Sequence, residues 1–81
     1  MEYTYQTHGT CSRVIHFSID DGKITGVSVE GGCNGNLQGI SRLVEGMEPA
    51  EAIRRLRGIR CGMKSTSCPD QLATALEQAT A

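Results

Sequence analysis

The chain has 81 residues, a formal net charge of −1, no tryptophan and one phenylalanine. That length suits one domain, and a domain this small buries only about 60% of its unfolded surface, so the core is lean. The near-zero charge argues against a general polyanion binder, and no apolar run approaches the ~20 residues that cross a bilayer.

Residues 2–7 alternate loosely and read as a first strand. Ser12 to Asp20 alternates clearly, with Ile15, Phe17 and Ile19 on one face and His16 and Ser18 on the other. Asp21-Gly22 is a two-residue hairpin signal, because both positions tolerate positive φ. Lys23 to Glu30 is the return strand. Its apolar residues Ile24, Val27 and Val29 change phase at Gly26, and a bulge there restores one buried face. The first half is therefore a three-stranded antiparallel meander.

The second half has helical period. Leu37, Ile40, Leu43 and Val44 mark a first helix that closes near Gly46. Pro49 suits the first turn of a second helix. Ala52, Ile53 and Leu56 form its stripe, and Gly58 ends it. Pro69 suits position N1 of a third helix, with Cys68 or Ser67 as the cap and Leu72, Ala73, Leu76 and Ala79 as the buried stripe. Strands followed by helices indicate an α+β fold with the helices on one face of the sheet. Residues 1–81 form one unit with no repeat or linker.

The chemistry of the chain is concentrated in Cys11, Cys33, Cys61 and Cys68, separated by 21, 27 and 6 residues. None forms a local CxxC pair, so a shared site has to be assembled by the fold. Met1 to Tyr5 has neither the basic nor the apolar region of a secretory signal. A cytoplasmic location is expected, where thiols stay reduced. A lone cysteine most often only fills space. Four cysteines, each in a turn or at a helix cap, read better as metal ligands or redox groups.

The topology makes convergence reasonable. The turn between strands one and two, which carries Cys11, and the exit of strand three, which leads to Cys33, lie at one end of the sheet. Helix starts can be brought to the same end. Cys68 at a helix N-terminus feels the positive end of the macrodipole, which favours a thiolate. Four thiolates suit zinc first and an iron–sulfur cluster second. Zinc binding would also stabilise a lean domain directly. The alternative is a thiol redox protein in which Cys61 and Cys68 form a reversible disulfide.

Other candidates carry less. His8 stands near Cys11, and His16 falls on the outer sheet face. Arg54, Arg55, Arg57, Arg60 and Lys64 form a basic stretch, read as a solvated helix face or a docking patch. No interleaved aromatics support nucleic-acid binding. Gly31-Gly32-Cys33-Asn34-Gly35-Asn36 lacks the Lys-Ser/Thr pair of a phosphate loop. No nucleophile–histidine–acid set is present, so catalysis by this chain alone is not expected. A homodimer fits so lean a core.

The string Thr66-Ser67-Cys68-Pro69-Asp70 spells the signature of the TSCPD domain family. The segments Gly31–Ile40 and Gly58-Ile59-Arg60-Cys61 resemble that family too, so the likeness covers nearly the whole chain. Members occur as small stand-alone bacterial proteins, and related domains occur as tails of adenosylcobalamin-dependent ribonucleotide reductases. The resemblance implies an accessory module with a ribonucleotide reductase or another redox enzyme as partner. The chain is too short for the reductase barrel or a cobalamin site.

The layout is also similar to the IscU/NifU-type iron–sulfur cluster scaffolds. Cys11, Cys33 and Cys68 match that family's three cysteines in order and context. Two positions depart from it. Arg13 stands where the scaffolds have an aspartate, and Ser67 where they have a histidine. Cys61 would supply the missing ligand, which implies a more closed site, suited to structural zinc.

Overall fold

The computed structural model describes residues 1–7, 9, 12–31, 34–60, 62 and 66–80. Three strands come first, β1 (Glu2–Gln6), β2 (Ser12–Asp20) and β3 (Lys23–Gly31). Three helices follow, α1 (Asn34–Val44), α2 (Pro49–Leu56) and α3 (Cys68–Thr80). The strands form one antiparallel sheet in the order β1-β2-β3. This is the expected α+β arrangement.

The register explains which residues are buried. Tyr3 lies opposite Phe17 and Tyr5 opposite Ile15 across β1 and β2. Val29 and Val27 lie opposite the same two residues across β2 and β3. Side chains alternate along a strand, so these six share one face. Tyr3 and Phe17 stack there with ring centroids 5.1 Å apart. The other face presents Thr4, His16, Ser18 and Ser28 to solvent.

The hairpin at Asp21-Gly22 has φ values of 53° and 74°, the double positive turn that matches strand twist. The expected bulge is present. Ser18 pairs with Gly26 and Ile19 with Ile24, leaving Thr25 as the extra residue. It turns Ile24 inward to full burial. A second irregularity was not legible in the sequence. Ser12 pairs with Gly31 and Val14 with Glu30, so Arg13 is the extra residue on β2. The Arg13 carbonyl accepts a hydrogen bond from the Thr7 amide at 3.0 Å.

The core joins Ile15, Phe17 and Ile24 from the sheet with Val44 of α1, Ala52 of α2, and Leu72, Ala75 and Leu76 of α3. All three helices thus cover one face of the sheet. The turn after α1 is tied to β3 by two backbone bonds. The Gly46 amide donates to the Ile24 carbonyl at 2.7 Å, and the Ile24 amide to the Met47 carbonyl at 2.9 Å. Pro49 opens α2 as expected, since its missing N–H costs nothing in the first turn.

One sequence expectation is corrected at α3. The cap is Ser67, whose Oγ accepts from the Asp70 amide at 3.2 Å. Its carbonyl accepts the first helical bond, from the Gln71 amide at 2.8 Å. Cys68 and Pro69 therefore occupy N1 and N2 rather than the cap and N1. A hydroxyl is the better acceptor for an orphan amide, and this decides between the two candidates.

Candidate functional site

The Thr-Ser-Cys-Pro-Asp string forms a clasp around the start of α3. Ser67 is buried beneath the first turn. Thr66 donates its hydroxyl proton to Asp70 Oδ2 and accepts from Gln71 Nε2, the latter at 3.1 Å. The other carboxylate oxygen, Asp70 Oδ1, accepts from the Gly58 amide at 2.7 Å. Gly58 lies just beyond α2, so a single side chain joins the end of one helix to the start of the next. The Thr66 hydroxyl and the Gly58 amide, helped by the positive charges of Arg57 and Arg60, hold the Asp70 carboxyl below the usual carboxylate range. Arg57 and Glu77 form an ion pair across the same two helices.

Gly9, in the connection between β1 and β2, sits against this clasp. A Cβ built on Gly9 would lie 3.2 Å from Thr66 Cγ2. Its φ of 72° is in the region that glycine tolerates best. The polar side chains Thr7, Ser67 and Gln71 are buried. Each lies within four residues of a cysteine in the sequence.

Of the four cysteines singled out by the sequence, Cys68 is described. It is a thiol at N1 of α3, half-buried. Cys11, Cys33 and Cys61 lie outside the described residues, as do His8 and Lys64. The described neighbours of the cysteines do meet. Gly9, two residues before Cys11, lies beside Thr66, two residues before Cys68, so that a Cβ added at Gly9 would stand 3.2 Å from Thr66 Cγ2. Ser12, next to Cys11, pairs with Gly31, two residues before Cys33. Gly58, three residues before Cys61, is bonded to Asp70, two residues after Cys68. Among the described residues, no three His, Cys, Asp or Glu side chains cluster as metal ligands.

The remaining candidates resolve into surface features. His16 lies on the open sheet face, with Nε2 2.5 Å from Glu30 Oε2 and Nδ1 3.2 Å from Thr4 Oγ1. Three residues of the basic stretch have acidic partners on the helices. Arg54 and Arg55 both reach Glu51, and Arg57 reaches Glu77. A groove of about 570 Å³ runs between β3 and α1, lined by Val27, Val29, Leu37, Ser41, Arg42 and Glu45 among others. No described helix is long and apolar enough to cross a membrane.

Sequence reasoning missed Asp70, Gly58 and Gly9 as organisers of this clasp. The signal was present for Asp70, three residues after a capping serine, where a carboxylate suits the first helical turn.

The described residues define a small α+β domain with a helical layer on one face of a three-stranded meander and a hydrogen-bonded clasp at the start of α3. The family model for the TSCPD domain matches residues 2–80, and the chain belongs to that family. No curated protein and no solved structure matches the chain. The likeness to the cluster scaffolds therefore rests on cysteine order and context.

Proposed function

We propose that this chain is a small metal-binding accessory module whose ligands are Cys11, Cys33, Cys61 and Cys68. Zinc is the first-choice metal and an iron–sulfur cluster the second. The observation that carries the reading is the meeting of the segments that flank all four cysteines. Three separate junctions, Gly9 with Thr66, Ser12 with Gly31 and Gly58 with Asp70, draw together chain segments far apart in sequence. Four sulfur donors without a redox-active partner group suit a closed structural site. The lean core is the reason such a site would matter. Among the described residues, three of the ten buried hydrophobic side chains are alanines, which contribute little burial. When bound, zinc would supply folding free energy to a domain that has little of its own.

The family resemblance supports an accessory role beside a ribonucleotide reductase or another redox enzyme, and the N-terminal sequence supports the cytoplasm as the compartment. The second reading is thiol redox chemistry at Cys61 and Cys68. Two features favour it. Cys68 stands at N1, close to the positive end of a helix, and the Gly58–Asp70 bond links the approach to Cys61 with the turn that carries Cys68.

The deciding experiment is elemental analysis with a visible spectrum on anaerobically purified protein, repeated for Cys68→Ser. About one zinc or iron per chain, lost in the variant, supports the metal reading. Four titratable thiols without metal would refute it and favour the redox reading.

A further inference from the structure

We infer that Asp70 is a positioning residue for the thiols, a carboxylate that yokes the segment entering Cys61 to the turn carrying Cys68. The inference rests on the four-cysteine reading and adds to it a residue that is not itself a ligand.

The geometry separates this role from ordinary helix capping. Capping of the α3 amides is already performed by Ser67, through its bond to the Asp70 amide. The Asp70 side chain faces the preceding segment instead. Its Oδ1 holds the Gly58 amide, and its Oδ2 holds the Thr66 hydroxyl. Gly58 is three residues before Cys61, and Thr66 is two before Cys68. Both oxygens are engaged at once, so the carboxylate sets the separation of the two segments. Gln71 extends the same network by donating to Thr66, which fixes the hydroxyl that Asp70 uses. Partners hydrogen-bonded to metal ligands typically contribute about 10–100-fold to affinity, and Asp70 would act one step further out, through the backbone that leads to each thiol.

The test is zinc affinity of the full chain, measured by competition with a chromogenic chelator. Asp70→Ala removes both acceptors. Asp70→Asn keeps one acceptor oxygen without the charge, and serves if the alanine variant fails to fold. Each is placed in three backgrounds: the natural chain, Cys11→Ser and Cys61→Ser. A yoke between Cys61 and Cys68 predicts a loss of about tenfold or more in the first two backgrounds. It predicts little loss in the third, where one of the yoked thiols is already gone. A general loss of stability would instead weaken zinc binding by the same factor in all three. Equal factors, or no loss at all, would overturn the inference and leave the metal reading standing.

If the natural chain holds neither zinc nor iron, the metal reading falls, and the yoke is decided by a second measurement. In the Cys11→Ser/Cys33→Ser chain, glutathione disulfide oxidises the remaining two thiols to a Cys61–Cys68 bond and releases two glutathione thiols. The equilibrium gives their effective concentration. A fall of about tenfold or more with Asp70→Ala or Asp70→Asn supports the yoke, and an unchanged value refutes it.

Discussion

Gly9 offers a sharp test of the junction between the β1–β2 connection and the clasp at α3. Two independent costs meet in Gly9→Ala. The first is backbone. At φ 72° an L-residue crowds its own carbonyl, which costs roughly 1–2 kcal/mol. The second is contact. The new methyl would stand 3.2 Å from Thr66 Cγ2, inside the ~3.5–4.0 Å optimum for carbon atoms. Mild overpacking of this kind adds about 1 kcal/mol. The sum, roughly 2–3 kcal/mol, is a large part of the ~4–12 kcal/mol that a domain of this length usually has. Thr66→Ser removes Cγ2 and keeps the hydroxyl that serves Asp70. The double variant should therefore recover the contact cost and retain the backbone cost. Urea titration followed by circular dichroism gives the three differences, read as midpoint shifts at constant slope. A compensating coupling of about 0.5–1 kcal/mol between the two sites is expected. Strictly additive effects would refute the contact. A neutral Gly9→Ala would refute both the contact and the positive φ.

Three further perturbations probe other parts of the argument. Ser67→Ala should cost about 1 kcal/mol by leaving the Asp70 amide without its cap, measured by the same titration, whereas Ser67→Thr should cost less. Leu76→Ala, at a fully buried position between α3 and the sheet, should cost about 2–5 kcal/mol, and a smaller loss would mean that α3 is not seated as described. Glu51→Gln should lower the thermal midpoint slightly at neutral pH. Bonding from Arg55, with Arg54 beside it, depresses the Glu51 pKa, so its contribution is present above the unfolded value and lost as pH falls through the folded one. The gap between variant and natural chain should then close as the pH falls below the ordinary glutamate range, and a gap that widens in acid would contradict the assignment.

The local structure was written in neighbouring residues. Alternation placed Ile15 and Phe17 inward, Asp21-Gly22 set the hairpin, and the phase change at Gly26 announced a bulge. Pro49 marked the start of α2. Each of these depends on sterics and periodicity within a few residues, which is why they are legible without a partner segment. The Thr-Ser-Cys-Pro-Asp string was equally plain and pointed to the family. What surrounds it was not. The bulge at Arg13 exists because β2 must pair with both β1 and β3 at once. Ser67 rather than Cys68 became the cap because its hydroxyl meets the Asp70 amide. Asp70 reaches Gly58, and Gly9 meets Thr66, across 12 and 57 residues of sequence. Contacts of that range arise only when α2, α3 and the β1–β2 connection are packed on one sheet, because no periodicity within a segment encodes the distance between two segments.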